Sequence, residues 1–233
     1  MSRRDRITLA LRDGLPVVLA YFPLSITFGV LAAASGVPWY ASFFSSIWIY
    51  SGGAQFMLIS MLEAATAPAT IIATILLVNM RHVLYGATMG PYLAHWQEPL
   101  KWLAALGLTD ESFVVTSNRA AGGERLTPSY YLTIALAAYG SWIAGTLVGA
   151  GIGGVVPSEA AAVLGFALPA LFLALLFAGE RTLPHLIAAC TGGGLATLAG
   201  IMNLGGIGLI VGGLVGATAG QLLGRKMSRP ARN

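Results

Sequence analysis

Residues 100–118 read LKWLAALGLTDESFVVTSN. This run is apolar enough to cross a bilayer except for Asp110 and Glu111 at its middle, and the number of crossings turns on it. The chain around it has a membrane composition. It is 56% hydrophobic and 9% charged, with mean hydropathy +0.76, whereas soluble domains carry about 25% charged residues. A soluble chain of 233 residues needs polar surface that this one lacks. Lipid removes that requirement. The expected fold is all-α, a polytopic membrane helix bundle forming a single transmembrane domain over residues 1–233.

Outward from residues 100–118, seven segments meet the need for about 20 mostly apolar residues: 14–35, 39–62, 67–90, 129–155, 159–178, 183–201 and 204–223. Turn chemistry separates them: SGVP at 35–38, ATAP at 65–68, GVVPSE at 154–159, GERTLP at 179–184 and MNLGG at 202–206. Both ends are basic, with Arg3, Arg4, Arg6 and Arg12 at one and Arg225, Lys226, Arg229 and Arg232 at the other. Basic flanks favour the cytoplasm, and two cytoplasmic ends require an even number of crossings. Counting 100–118 as an eighth span puts Arg119, Arg125 and Arg181 on the cytoplasmic side as well; a re-entrant element there breaks that parity. The apolar run from Leu15 to Ala34 is longer than the ~7–15 residues of a signal-peptide core, so it reads as a retained first span. TFGVLAAASGVP at the end of span one and GTLVGAGIGGVVP at the end of span five suggest parallel half-repeats, 1–120 and 121–233.

Several function classes drop out. The net charge of +4 sits at the two ends rather than on one soluble face, so no nucleic-acid partner is expected. The single cysteine, Cys190, lies in an apolar run and reads as a small packing residue. No phosphate-binding G-x-x-x-x-G-K-[ST] loop occurs, and neither a metal nor any other cofactor is implied. The 30 glycines give many small-xxx-small pairs, which suit close helix packing within the chain or against a separate membrane subunit.

Three polar islands interrupt the spans. Charges at membrane depth cost roughly 2.5–3.5 kcal/mol each on insertion scales, so they must face protein, water or a substrate. YSGGAQF, residues 50–56, holds Ser51 and Gln55 around Gly52 and Gly53, a pair suited either to unwinding the helix or to a packing notch. NMRHVLYG, residues 79–86, puts Asn79, Arg81, His82 and Tyr85 along one stripe. LTDESF, residues 108–113, offers Thr109 as a helix cap with Asp110 and Glu111 in the first turn, which implies a helix broken at mid-membrane. One acid neutralises Arg81 and one is left over. Together the islands suit a small zwitterion, with Ser51, Gly52, Gly53, Gln55, Asn79, Arg81 and Tyr85 binding it and His82, Asp110 and Glu111 as proton carriers.

LPVVLAYFPLSITFGVLA, SGGAQF, NMRHVLYG and LTDESF, in this order, resemble the AzlC family, the large subunits of bacterial branched-chain amino-acid exporters. LGFALPALFLALL at 164–176 resembles a further family stretch, although many members carry an acid where Phe166 stands. The resemblance implies secondary export of leucine, isoleucine, valine and in some members methionine. It also implies the bacterial inner membrane, a proton-motive-force drive and a small AzlD-type membrane partner. Two other classes compete. A Ser51–His82 dyad implies an intramembrane hydrolase, but the G-x-S-x-G and H-E-x-x-H motifs are absent. A channel or scaffold subunit implies rings of repeated polar groups, which these asymmetric islands do not offer.

Overall fold

The computed structural model describes residues 2–166, 170, 173, 182–202 and 205–227, and every regular element among them is helical. They form two compact units, Met1–Leu168 and Pro169–Asn233. Much of the span expected over 159–178 and of the turn at 179–184 lies outside the described residues, as do Arg181, Arg229 and Arg232.

The first unit is built on two long helices, α1 (Arg3–Ala34) and α8 (Pro128–Ile152). Helix α1 starts about three turns before the expected span. Ser2 and Asp5 form a capping box: Ser2 Oγ accepts the Asp5 N–H at 3.1 Å and Asp5 Oδ2 accepts the Ser2 N–H at 2.8 Å. The helix therefore extends beyond the apolar run at its N-terminal end. The two helices touch backbone to backbone. A Cβ on Gly149 would stand 2.0 Å from the Ile26 carbonyl oxygen, and one on Gly145 would stand 1.9 Å from Ser25 Oγ. Lipid provides no hydrophobic drive for association, so this close approach supplies the contact instead.

Between these rods the chain makes three interrupted spans. The first is α2 (Trp39–Trp48) and α3 (Gly52–Glu63), separated by Ile49–Ser51. Here Tyr50 takes φ +38° and Ser51 is extended, while Gly52 and Gly53 form the first turn of α3 rather than the unwound segment. The second is α4 (Pro68–Asn79) and α5 (Arg81–Leu93), jointed at Met80. Met80 N–H bonds to Leu77 O and Val83 N–H to Met80 O, a tightened turn that leaves the ordinary α pattern. This joint was not visible in the sequence, because every residue around it tolerates a helix. The third is α6 (Glu98–Leu106) and α7 (Asp110–Ala121), broken at Gly107–Thr109. Thr109 caps α7 as its sequence suggests. Its side chain accepts the Ser112 N–H at 3.3 Å, and Ser112 Oγ accepts the Thr109 N–H at 2.8 Å.

A short 3-10 turn (Gly153–Val155) and α9 (Ser158–Leu164) follow α8. The second unit holds α10 (Leu183–Ile201) against α11 (Gly205–Met227). They pack through glycine as well, with a Gly216 Cβ falling 2.5 Å from the Ala188 carbonyl oxygen. Among the described residues, four segments are long and apolar enough to cross a membrane: Arg3–Ala34, Pro68–Leu93 with its joint at Met80, Pro128–Val155 and Leu183–Ile201. Together with the broken spans, they make the protein a helical membrane bundle.

Candidate functional site

The three interruptions converge on one cavity of about 500 Å³. Ile47–Tyr50 line it from the first break, Asn79 and His82 from the second, and Leu103 with Ala105–Leu108 from the third. Leu132, Ala135, Leu136 and Tyr139 line it from α8. The size falls within the range of small-molecule pockets, and the walls are mostly apolar. A broken helix costs hydrogen bonds, and irregular backbone at membrane depth is tolerated where it is buried in protein or lines a cavity.

Arg81 and Asp110 form an ion pair, Nη1 to Oδ2 at 2.8 Å, with side chains 26% and 24% exposed. Tyr85 OH donates to the other Asp110 oxygen at 2.7 Å, so both carboxylate oxygens are engaged. Tyr85 in turn stacks on Phe113, with ring centroids 4.5 Å apart. Glu111 is the acid left over, and it accepts the hydroxyl of Tyr21, which also lies 2.8 Å from Thr109 Oγ1. Arg81 Nε is buried without a hydrogen-bond partner.

Asn79 joins the first two islands. Its Oδ1 accepts the Ser51 hydroxyl at 2.8 Å, and its main-chain oxygen lies 3.0 Å from His82 Nδ1. The Met80 joint explains the second contact. Val83 N–H turns to Met80 O, and the Asn79 carbonyl then meets the His82 ring. A carbonyl oxygen only accepts, so Nδ1 carries a hydrogen in this contact.

Gln55 is placed differently. It is 0% exposed, and its amide donates to Ser45 Oγ and Ser46 Oγ, each at 3.0 Å, while its oxygen accepts the Trp142 indole N–H at 2.7 Å. Both amide hydrogens and the amide oxygen of that side chain are engaged by protein. The Trp142 ring also covers the start of α3, where a Cβ on Gly52 would fall 2.7 Å from it. Ser51, Asn79, His82, Arg81, Tyr85 and Asp110 are thus linked around the second break, whereas Gln55 and Gly52 belong to the packing that holds α3.

Sequence reasoning missed Tyr50, Tyr139, Trp142 and the apolar wall of α8. Tyr50 is 8% exposed, and its hydroxyl is buried without a partner. It also missed a second polar cluster. Arg119 Nη1 lies 3.3 Å from Asp13 Oδ2, Tyr130 OH donates to the same oxygen at 2.7 Å, and the Arg119 guanidinium lies 4.6 Å from the Tyr130 ring centroid. Asp13 and Arg119 are 106 positions apart, and no local pattern signals such a pair.

Residues 16–156 match the family described as AzlC protein. The chain belongs to the AzlC family. An uncharacterized membrane protein of Archaeoglobus fulgidus is 34% identical over 86% of this chain and 88% of its own length. Inner membrane protein YgaZ of Escherichia coli is 35% identical over 79% of this chain and 78% of that protein. The Bacillus subtilis protein named branched-chain amino acid transport protein AzlC is 27% identical over 88% of this chain and 82% of its length. No solved structure matches the chain. The AzlC match takes in all three breaks and every residue that lines the cavity.

Proposed function

We propose that this protein is a secondary active exporter of branched-chain amino acids, and of methionine by extension, in the bacterial inner membrane. The observation that carries the proposal is the meeting of three helix breaks at one apolar-walled cavity beside the Arg81–Asp110 pair. Discontinuous helices at mid-membrane are how many transporters expose backbone and charge to a small substrate. The name of the Bacillus subtilis relative supports the substrate class, and that of the Escherichia coli relative supports the membrane.

On this reading the substrate occupies the cavity, with its branched side chain against Leu132 and Leu136. Arg81 meets the carboxylate by exchanging it for Asp110, while Asn79 and Ser51 hydrogen-bond the ligand. Asp110, Glu111 and His82 carry the coupling proton. Both termini lie in the cytoplasm, and a small AzlD-type subunit completes the transporter. The hydrolase reading is weaker, because Ser51 and His82 each bond to Asn79 rather than to one another.

The test is efflux from exporter-deficient cells loaded with leucine-, isoleucine-, valine- or methionine-containing dipeptides. Release that requires this chain and its small partner, and that falls in Arg81→Ala, supports the proposal. With both chains confirmed in the membrane, no release of any of the four removes the substrate assignment.

A further inference from the structure

Two of the three interrupted spans end where they begin. Ser35, just after α1, donates its hydroxyl to Glu63 Oε1 at 2.5 Å, and Glu63 is the last residue of α3. The chain from 35 to 63 therefore leaves one end of α1 and comes back to it. At the other end, Trp96 Nε1 donates to Leu126 O and Arg125 Nε to His95 Nε2, each at 3.3 Å. The chain from 95 to 126 likewise returns to its start, and Arg119 of α7 ties that return to Asp13 of α1. The two ends lie a membrane apart. The run of α1 from Asp13 to Ser35 is about 33 Å long at 1.5 Å per residue, against a hydrocarbon core of about 30 Å.

Between those ends the two excursions match. Helices α2 and α6 hold 10 and 9 residues, the breaks Ile49–Ser51 and Gly107–Thr109 are equal in length, and α3 and α7 hold 12 residues each. Each half-helix thus reaches about 14–18 Å, half of the core. Both tips arrive at the cavity. The joint at Met80 holds both: Asn79 before it accepts the Ser51 hydroxyl, and Arg81 after it pairs with Asp110. Charge sets the orientation. Arg3, Arg4, Arg6, Arg12, Lys101, Arg119 and Arg125 all fall at the Asp13 end, and with Arg81 they are every lysine and arginine of the first unit. Basic flanks favour the cytoplasm. A crossing at 100–118 leaves Lys101 on the outer face, whereas a returning chain brings it inside.

We infer that residues 38–63 and 98–121 are re-entrant hairpins that enter from opposite faces, each the barrier between the cavity and its own face. Hairpin 38–63 enters from outside and is latched at its tip by Ser51 on Asn79. Hairpin 98–121 enters from the cytoplasm and is latched by Asp110 on Arg81. Helix α1 with the first hairpin, and α4–α5 with the second, form an inverted repeat in place of the parallel halves expected from sequence. Without 39–62 and 100–118, six of the segments expected to cross remain, an even number that keeps both basic ends in the cytoplasm. The inference goes beyond the exporter reading, because it holds for any ligand of the cavity.

The test uses the full chain carrying Cys190→Ser and one new cysteine at a time. A membrane-impermeant maleimide labels it in spheroplasts and in inside-out vesicles. Ala67→Cys is expected to label only from outside, and Gln97→Cys and Ala121→Cys only from the cytoplasmic side. Labelling of Ala67→Cys from the cytoplasmic side, or of Gln97→Cys from outside, makes the segment beside it a crossing and overturns the inference. Leu136→Cys reports the cavity itself. Adding Asp110→Asn is expected to raise its labelling from the cytoplasmic side about tenfold, and adding Ser51→Ala to raise it from outside about fivefold, with the opposite face unchanged. Size-exclusion profiles matching the parent's show that these variants are folded. Unchanged labelling in folded variants, or a rise from both faces at once, overturns the assignment of the hairpins as barriers. Efflux is read separately. A protein that labels as expected and exports none of the four amino acids keeps its hairpins and loses the exporter proposal.

Discussion

The Trp142 indole N–H meets the Gln55 side-chain oxygen at 2.7 Å, and this bond ties α8 to the half-helix that restarts the broken first span. The Gln55 amide then reaches back to Ser45 and Ser46 on the other half. Ser46 Oγ is itself 2.8 Å from Thr146 Oγ1 on α8. One glutamine thus clamps both sides of a helix break to a continuous rod. Gln55→Leu strands the indole N–H, a buried donor, at about 1–3 kcal/mol. The expected result is a lower melting temperature in detergent together with ligand binding preserved in the folded fraction. Unchanged melting would show that the clamp contributes nothing.

Arg81 and Asp110 can be separated by a double-variant experiment. Breaking a partly buried pair leaves one uncompensated charge. A fully buried case costs about 3–5 kcal/mol, and less is expected here because both side chains are about a quarter exposed. Arg81→Leu and Asp110→Leu alone are each expected to destabilise, and the double variant to recover much of that loss. Transport is expected to stay absent in the double variant, because the exporter proposal gives Arg81 the carboxylate. Recovery of efflux along with stability would reduce the pair to a structural one.

Tyr50 combines a positive φ with a hydroxyl that is buried and partnerless. Its ring packs edge-on against Tyr139, with centroids 4.7 Å apart, so the aromatic body has a role that the hydroxyl lacks in this state. Tyr50→Phe is expected to leave stability unchanged or to raise it by about 1–3 kcal/mol, since it removes an unsatisfied polar group. Thermal melting reads this directly. Loss of efflux with stability intact would assign the hydroxyl a partner in another conformation.

The α1–α8 seam gives a prediction about folding. At Gly149 any side chain collides with backbone, 2.0 Å from the Ile26 oxygen, and backbone cannot step aside as a flexible side chain can. Gly149→Leu is expected to reduce folded protein in the membrane severely. Gly140→Ala, on the same helix with nothing within 4 Å of the added Cβ, is expected to be neutral or stabilising by up to about 1 kcal/mol. Size-exclusion profiles of tagged protein compare the two. Equal profiles would show that the seam tolerates separation.

The sequence by itself determined that this chain lives in lipid, that its elements are helices and that polar islands interrupt three of them. Composition and span length decide those points, because a bilayer core rewards apolar helix and penalises everything else. The break before α7 was legible too, since Thr109 and the following acids are a local capping signal, and caps act within four residues. The Met80 joint and the displacement of the first break to Ile49–Ser51 were not legible. Both depend on what packs alongside: His82 on the Asn79 carbonyl, and Trp142 over Gly52.

Only the tertiary structure decided which polar residues face one another. Gln55 looked as available to a ligand as Asn79, and the fold gave all its hydrogen bonds to Ser45, Ser46 and Trp142. Arg81 had two candidate acids in the next broken span, and the fold paired it with Asp110 while Tyr21 took Glu111. The cavity wall on α8 carried no signal at all, because Leu132 and Leu136 are ordinary apolar residues until a helix break leaves space beside them. Hydrophobicity and caps are local or additive and can be read along a chain. Hydrogen-bond partnership and cavity shape arise between residues tens of positions apart, and the packing of α1, α8 and the three broken spans assigns them.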